Sequence, residues 1–221
     1  MDNAAPFIAQ VLGAQWNNLE EVIQRYYFLR PYSEDYVCVI GKMQEIYHSR
    51  LAKLLIPLGL IFGAIVPFKA KHVPVAVHYR ASKKNSFIYW DRDFQLPNKK
   101  SFHFRSHMEH LGGNEVVEYV RFRVGMRLLV TAENGAIVFR DNGYIWNFFG
   151  LKMPVPIGLF FGRAYVEERP IDEATVSMRM ELKHPLFGLL FKYNGVFTIP
   201  KRIIPELPEP PLQENERMRW G

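Results

Sequence analysis

Polar side chains that share a face with apolar neighbours are the residues of this sequence best placed for chemistry. Arg92 has the same strand parity as Trp90 and Phe94, and Glu118 the same parity as Val116, Val120, Phe122 and Val124. A buried charge is costly unless it is paired, so Arg92 is expected to meet a glutamate, Glu118 or Glu168, inside the fold. Such a pair has two uses. It fixes the fold, or it stands as a polar anchor at the end of an apolar pocket and orients a lipid or other amphiphile by its headgroup. Tyr193 could add a hydrogen bond there. The candidate ligand-binding set is therefore Trp90, Arg92, Glu118, Glu168 and Tyr193. Convergence of Arg92, a glutamate and Tyr193 with shifted pKa values would instead make an isomerase- or hydrolase-like site.

Other constellations carry less. His103, His107 and Glu109 fall on one face of a strand with Ser101 and Arg105, and two histidines with a carboxylate can bind zinc. Same-face neighbours on a strand sit about 7 Å apart, so these three do not reach one ion without further ligands, and a wet strand face is the better reading. His184 beside Pro185 reads as a turn histidine. There is no Gly-x-Ser-x-Gly elbow, no His-Glu-x-x-His and no P-loop, so no catalytic residue is assigned and neither a metal nor a cofactor is expected.

The elements that must position these residues are mostly strands. From Val73 to Ile199 short alternating segments follow one another: Val73, Val75, Val77 and Tyr79 share a face, and Val176, Met178, Met180 and Leu182 alternate with polar residues. Between them, strands are expected near residues 87–94, 102–110, 116–124, 126–131, 136–140 and 160–168, with a last one near 189–199. Gly112-Gly113, Asn134-Gly135 and Asn142-Gly143 punctuate the series, and the two Asn-Gly pairs signal hairpins. A sheet this long curls or closes to bury its apolar face. Ahead of it, Phe7, Val11, Leu12, Trp16, Leu19, Val22, Ile23 and Tyr26 recur at helical spacing, broken near Gly13. A second helix is expected from about Lys42 into Leu55, after a short extended piece at 36–40. The expected fold is α+β: N-terminal helices over residues 1–68, packed on a curved antiparallel sheet or up-and-down barrel over 73–199. One domain ends near residue 200, and a loosely ordered tail follows with Pro205, Pro208, Pro210 and Pro211.

Composition narrows the function classes. With 48% hydrophobic and 14% aromatic residues the 221-residue chain can build one sizeable core, which excludes a disordered chain. Against 22 acidic residues stand 28 Lys and Arg, a net charge of +6 that favours anionic surfaces. Nucleic acid is disfavoured as a partner, because Asp and Glu are interspersed and no concentrated Lys/Arg run occurs. Cys38 is the only cysteine, which rules out an intramolecular disulfide and an all-Cys metal site. The opening residues lack a secretory pattern, so the expected location is the cytoplasm. Leu54–Phe68 is a nearly uncharged apolar run of fifteen residues interrupted by Pro57 and Pro67. Spanning a bilayer takes roughly twenty, which leaves a buried helix and turn, or a peripheral contact with the inner face of the membrane flanked by Lys53, Lys69 and Lys71.

The order Trp90-x-Arg92-x-Phe94, Asn134-Gly135, Met153-Pro154-Val155-Pro156, Glu168, His184-Pro185-Leu186-Phe187-Gly188, Tyr193 and Gly195 resembles the uncharacterised family catalogued as domain of unknown function 4166. Val11-Leu12-Gly13 before an amphipathic helix is similar to that family's start, and the resemblance runs from about Phe7 to Phe197. It implies no activity, since the family has none established. Members occur alone or behind a saccharopine-dehydrogenase-like nucleotide-binding domain, whose Gly-x-Gly-x-x-Gly is missing from this chain. The apolar stretch after Leu54 is longer and greasier than the family leads one to expect. Together these readings point to a barrel or groove that binds a hydrophobic small molecule or lipid, with a small enzyme in the same cavity as the alternative.

Overall fold

The computed structural model describes residues 5–63, 65–96 and 100–200. The proline-rich tail expected from Lys201 lies outside the described residues. The N-terminal amphipathic stretch folds as α1 (Phe7–Leu12), a 3₁₀ segment (Gly13–Asn18) and α2 (Glu21–Tyr26). The helix breaks at Gly13, whose φ of 54° favours a residue without Cβ.

The next element corrects the sequence reading. No second helix begins at Lys42: residues 36–48 form one long strand, β1 (Tyr36–His48). Its inward residues start with period two at Val37 and Val39, pass Gly41, and reach Met43. A bulge between Met43 and Glu45 then shifts the parity, so that Ile46 and His48 point inward. The resulting apolar spacing of four and then three, Val39, Met43 and Ile46, imitates a helix.

A 3₁₀ segment (Leu51–Leu54) and α3 (Ile56–Phe62) lead to β2 (Ala70–Ser82), β3 (Asn85–Phe94), β4 (Phe102–Gly112) and β5 (Glu115–Tyr119). After a tight turn (Arg121–Arg123) come β6 (Val124–Glu133), β7 (Ala136–Phe148) and β8 (Leu151–Val155). Next are α4 (Gly158–Phe161), β9 (Arg163–Pro170), β10 (Thr175–His184) and β11 (Gly188–Thr198). The strand order is β6-β5-β4-β3-β2-β1-β11-β10-β9-β7, and pairing of β6 with β7 closes the circle. The fold is a closed ten-stranded antiparallel barrel, with β8 an eleventh strand on the far half of β7. Of the two forms expected, a curved sheet or a barrel, the barrel is the one that forms, while the α+β class gives way to a mostly β chain whose helices are short; closure pairs what would be the two edges of the ten-stranded sheet.

Local expectations divide. Asn134 and Gly135, at φ 50° and 79°, make the tight β6–β7 hairpin that their types demand. Asn142-Gly143 makes no hairpin and lies inside β7, where Met126 faces Tyr144 and Leu128 faces Asp141, so these two β7 residues bulge against the single residue Arg127. The strand expected over 116–124 ends at Tyr119, and Phe122 turns outward at φ 58°, so Phe122 shares no face with Glu118. Phe160 belongs to α4 rather than to a strand.

Strand alternation gives the barrel two unlike ends. The β2–β3, β4–β5, β6–β7 and β9–β10 turns lie at one end, and the N-terminal segment crosses all four. Tyr32 N–H donates to Asn85 O, the Phe7 ring meets His110, Glu20 N–H donates to Gly135 O, and the Arg25 guanidinium bonds Glu173 O. Buried Phe7, Ile8, Val22, Ile23 and Tyr26 make this segment a stopper. The β1–β2, β3–β4, β5–β6, β7–β9 and β10–β11 connections lie at the opposite end. Inner faces such as Val73, Val75, Val77, Tyr79 and Val176 form the core between.

Candidate functional site

Between the stopper and the far end the barrel holds a cavity of about 300 Å³. Its walls carry Met43, Met108, Met126, Met178 and Met180 among aromatic and branched side chains, an adaptable apolar lining. Leu58, Gly59 and Phe62 of α3, with Ile157 just before α4 and Phe160 and Phe161 within it, flank it at the far end. Tyr26 of α2, with Tyr79, Trp90, Arg92, Glu118 and Glu168, gives it a polar floor near the stopper.

Three adjacent strands build the first half of that floor. Arg92 on β3 donates from Nη2 to Glu118 Oε1 on β5 at 3.0 Å and from Nη1 to Ser106 Oγ on β4 at 3.1 Å. Ser106 Oγ–H donates to the same Glu118 oxygen at 2.6 Å. The guanidinium lies 4.8 Å from the centre of the Trp90 ring and 4.9 Å from that of the Phe104 ring, within cation–π reach of both. Burial disfavours the Arg92 charge, but the Glu118 carboxylate, with Tyr79 and Tyr26, more than offsets it and holds the guanidinium above its ordinary value. Arg92 and Glu118 keep 16% and 14% of their side-chain surface accessible, and both line the cavity.

Glu168 on β9 forms the second half. Its Oε2 accepts from the Tyr27 hydroxyl at 2.8 Å, and it is 5% exposed. Burial pushes its carboxyl up to about 7, against the opposing pull of the Tyr27 hydrogen bond and of Arg92. Beside it the hydroxyls of Tyr26 and Tyr79 bond each other, and burial raises the pKa values of both phenols. The floor thus holds one ion pair that cancels itself, one carboxyl that is partly protonated near neutrality, and three neutral phenols.

The five sequence candidates therefore separate. Trp90, Arg92 and Glu118 are in direct contact, which settles the partner of Arg92 as Glu118. Glu168 stands across the floor with Tyr27. Tyr193 lines the same cavity, but its Oη accepts from the Val66 N–H at 3.1 Å and so anchors the segment leading out of α3. Sequence reasoning missed Ser106, Tyr26, Tyr27 and Tyr79. Ser106 had a signal, a small polar residue between Phe104 and Met108 on an inward face. Tyr26 and Tyr27 had none, because only closure of the barrel brings α2 against β9.

The remaining candidates lie outside this cavity. His103 sits 4.0 and 3.9 Å from Asp91 and Asp93, His107 stacks on Tyr119, and Glu109 accepts from Lys152 Nζ. Among the described residues no group of His, Cys, Asp and Glu is placed to hold a metal ion. His184 Nδ1 accepts from Leu186 N–H while Nε2 donates to Leu159 O, tying the β10–β11 turn to α4. Leu54–Phe68 is divided: Gly59, Ile65 and Val66 are buried, whereas Leu54, Leu58, Leu60 and Ile61 are exposed. Among the described residues no helix is long and apolar enough to cross a membrane.

Fold and site define a closed antiparallel barrel that encloses an apolar cavity over a neutralised polar floor. Residues 19–197 match the family described as Domain of unknown function (DUF4166), and the chain belongs to that family. No curated protein and no solved structure matches it.

Proposed function

We propose that the protein binds a hydrophobic small molecule or lipid inside the barrel, with an uncharged hydrogen-bonding head toward the floor. The cavity of about 300 Å³ inside the barrel, mostly apolar on its walls with its charged groups gathered at the floor, carries this reading. The head is uncharged because Arg92 is already engaged by Glu118 and Ser106. An anionic head would meet two carboxyl groups for one guanidinium. A hydroxyl or carbonyl can bond Glu168 or the Tyr26 and Tyr79 hydroxyls, which line the cavity, at no such cost.

Native mass spectrometry of the purified protein, before and after denaturing extraction, tests this. The expected result is one copy of a small amphiphile released on denaturation. An empty protein that also takes up no fluorescent hydrophobe would sink the proposal. A second reading, proton transfer to and from the bound ligand, is favoured by a Glu168 carboxyl that titrates near neutrality beside the Tyr27 phenol. It requires turnover of the extracted compound that Glu168→Gln abolishes while binding persists.

A further inference from the structure

The barrel end opposite the stopper carries chemistry that the cavity does not use. Each connection there comes from a different part of the chain, and four of them expose large apolar side chains: Leu54 (76%) and Ile61 before β2, Phe122 before β6, Phe149 (90%) and Leu159 (72%) between β7 and β9, and Leu186 (82%) before β11. Contacts join them into one rim. The Phe62 ring meets Phe122 edge-on at 6.2 Å, Trp146 Nε1–H donates to Phe122 O at 3.0 Å, and His184 Nε2 donates to Leu159 O at 2.9 Å. A patch of this kind marks an interaction surface.

Charge identifies the partner. Residues 49–69, 120–127, 142–166 and 182–195, which supply this rim and the strand ends below it, contain no Asp or Glu. They do contain exposed Arg50, Lys53, Arg121, Arg123 and Arg163. We propose that this acid-free apolar rim docks the barrel, cavity mouth down, on a bilayer that contains anionic phospholipid. Apolar tips flanked by Lys and Arg are what the acyl and headgroup layers of such a surface accept together. Partly exposed Trp146 at the rim suits the interface between the two layers. A second copy is a poor occupant, because a two-fold contact would set one cationic face on another.

Vesicle co-sedimentation of the full chain tests the proposal, using phosphatidylcholine alone and phosphatidylcholine mixed with phosphatidylserine. Binding is expected to the mixed vesicles and to weaken as salt rises. Phe149→Asp and Leu159→Asp should each weaken it about tenfold or more. Arg121→Glu with Arg123→Glu should remove the preference for phosphatidylserine. Ile40→Asp, on the exposed barrel wall, should leave binding unchanged. All these side chains are exposed, so thermal melts should match the parent and exclude misfolding as a cause. The proposal is overturned if mixed vesicles are not bound, if Ile40→Asp costs as much as the rim variants, or if light scattering finds a self-association that Phe149→Asp abolishes. Cavity occupancy is read separately by mass spectrometry, so either proposal can fail while the other stands.

Discussion

Glu168 is the residue whose burial should be felt in the whole protein's pH dependence. Its carboxyl, ordinarily near 4.5, is raised to about 7. Between those values the folded state holds a proton that the unfolded chain has released. The contribution of Glu168 to stability is therefore greatest below about 4.5, falls as pH rises through about 7, and levels off above. The shift corresponds to about 3 kcal/mol at roughly 1.4 kcal/mol per pKa unit. Glu168→Gln should lack this fall, and urea midpoints for both proteins from pH 4.5 to 8.5 would show the curves separate through this window and run parallel above it. Arg92 makes a different prediction. Arg92→Met leaves Glu118 desolvated with only Ser106 and should cost roughly 3 kcal/mol, whereas Arg92→Met with Glu118→Leu should recover most of that loss in urea denaturation at neutral pH. If the double variant is as unstable as the single one, the pair is not self-contained.

The junctions between elements carry the next constraint. Gly162 ends α4 at φ 75°, where a side chain is strained, and a Cβ there would stand 2.2 Å from the Lys183 carbonyl oxygen of β10. Because both atoms are tied to backbone, no rotamer relieves the clash. Gly162→Ala should destabilise by about 3 kcal/mol, read as a lowered urea midpoint with an unchanged slope. These junctions also show where sequence patterns fail. The β10 alternation was legible because Val176, Met178, Met180 and Leu182 keep an unbroken period of two. In β1 the same physics was hidden, since Gly41 leaves one inward position without a side chain and the bulge at Gln44 shifts the next. Bulges and glycines alter the spacing of the signal without altering which face is buried.

For the whole molecule, stopper and cavity form a single device. The N-terminal segment closes one end by contacts to all four of its turns, and the far end carries the apolar rim. Met178 lines the cavity and is only partly buried by neighbours. Met178→Trp should fill the space, preserve cooperative folding at a cost of about 1–3 kcal/mol, and abolish uptake of a fluorescent hydrophobe in a titration. Unchanged uptake would place the binding surface elsewhere.

The amino-acid sequence by itself determined the long antiparallel series, the Asn134-Gly135 hairpin, the break at Gly13, the family, and the expectation that Arg92 would need a glutamate. Each of these rests on short-range order: side-chain alternation, a positive φ that few residues accept, the spacing of local motifs, or the cost of one unpaired charge. Tertiary structure alone decided that β6 pairs with β7, that Glu118 rather than Glu168 neutralises Arg92, that Tyr27 reaches Glu168, and that four acid-free segments share one end. Those outcomes depend on barrel closure, which joins residues far apart in the chain. The register that brings them together is set by packing the whole apolar face at once, and no local window contains it.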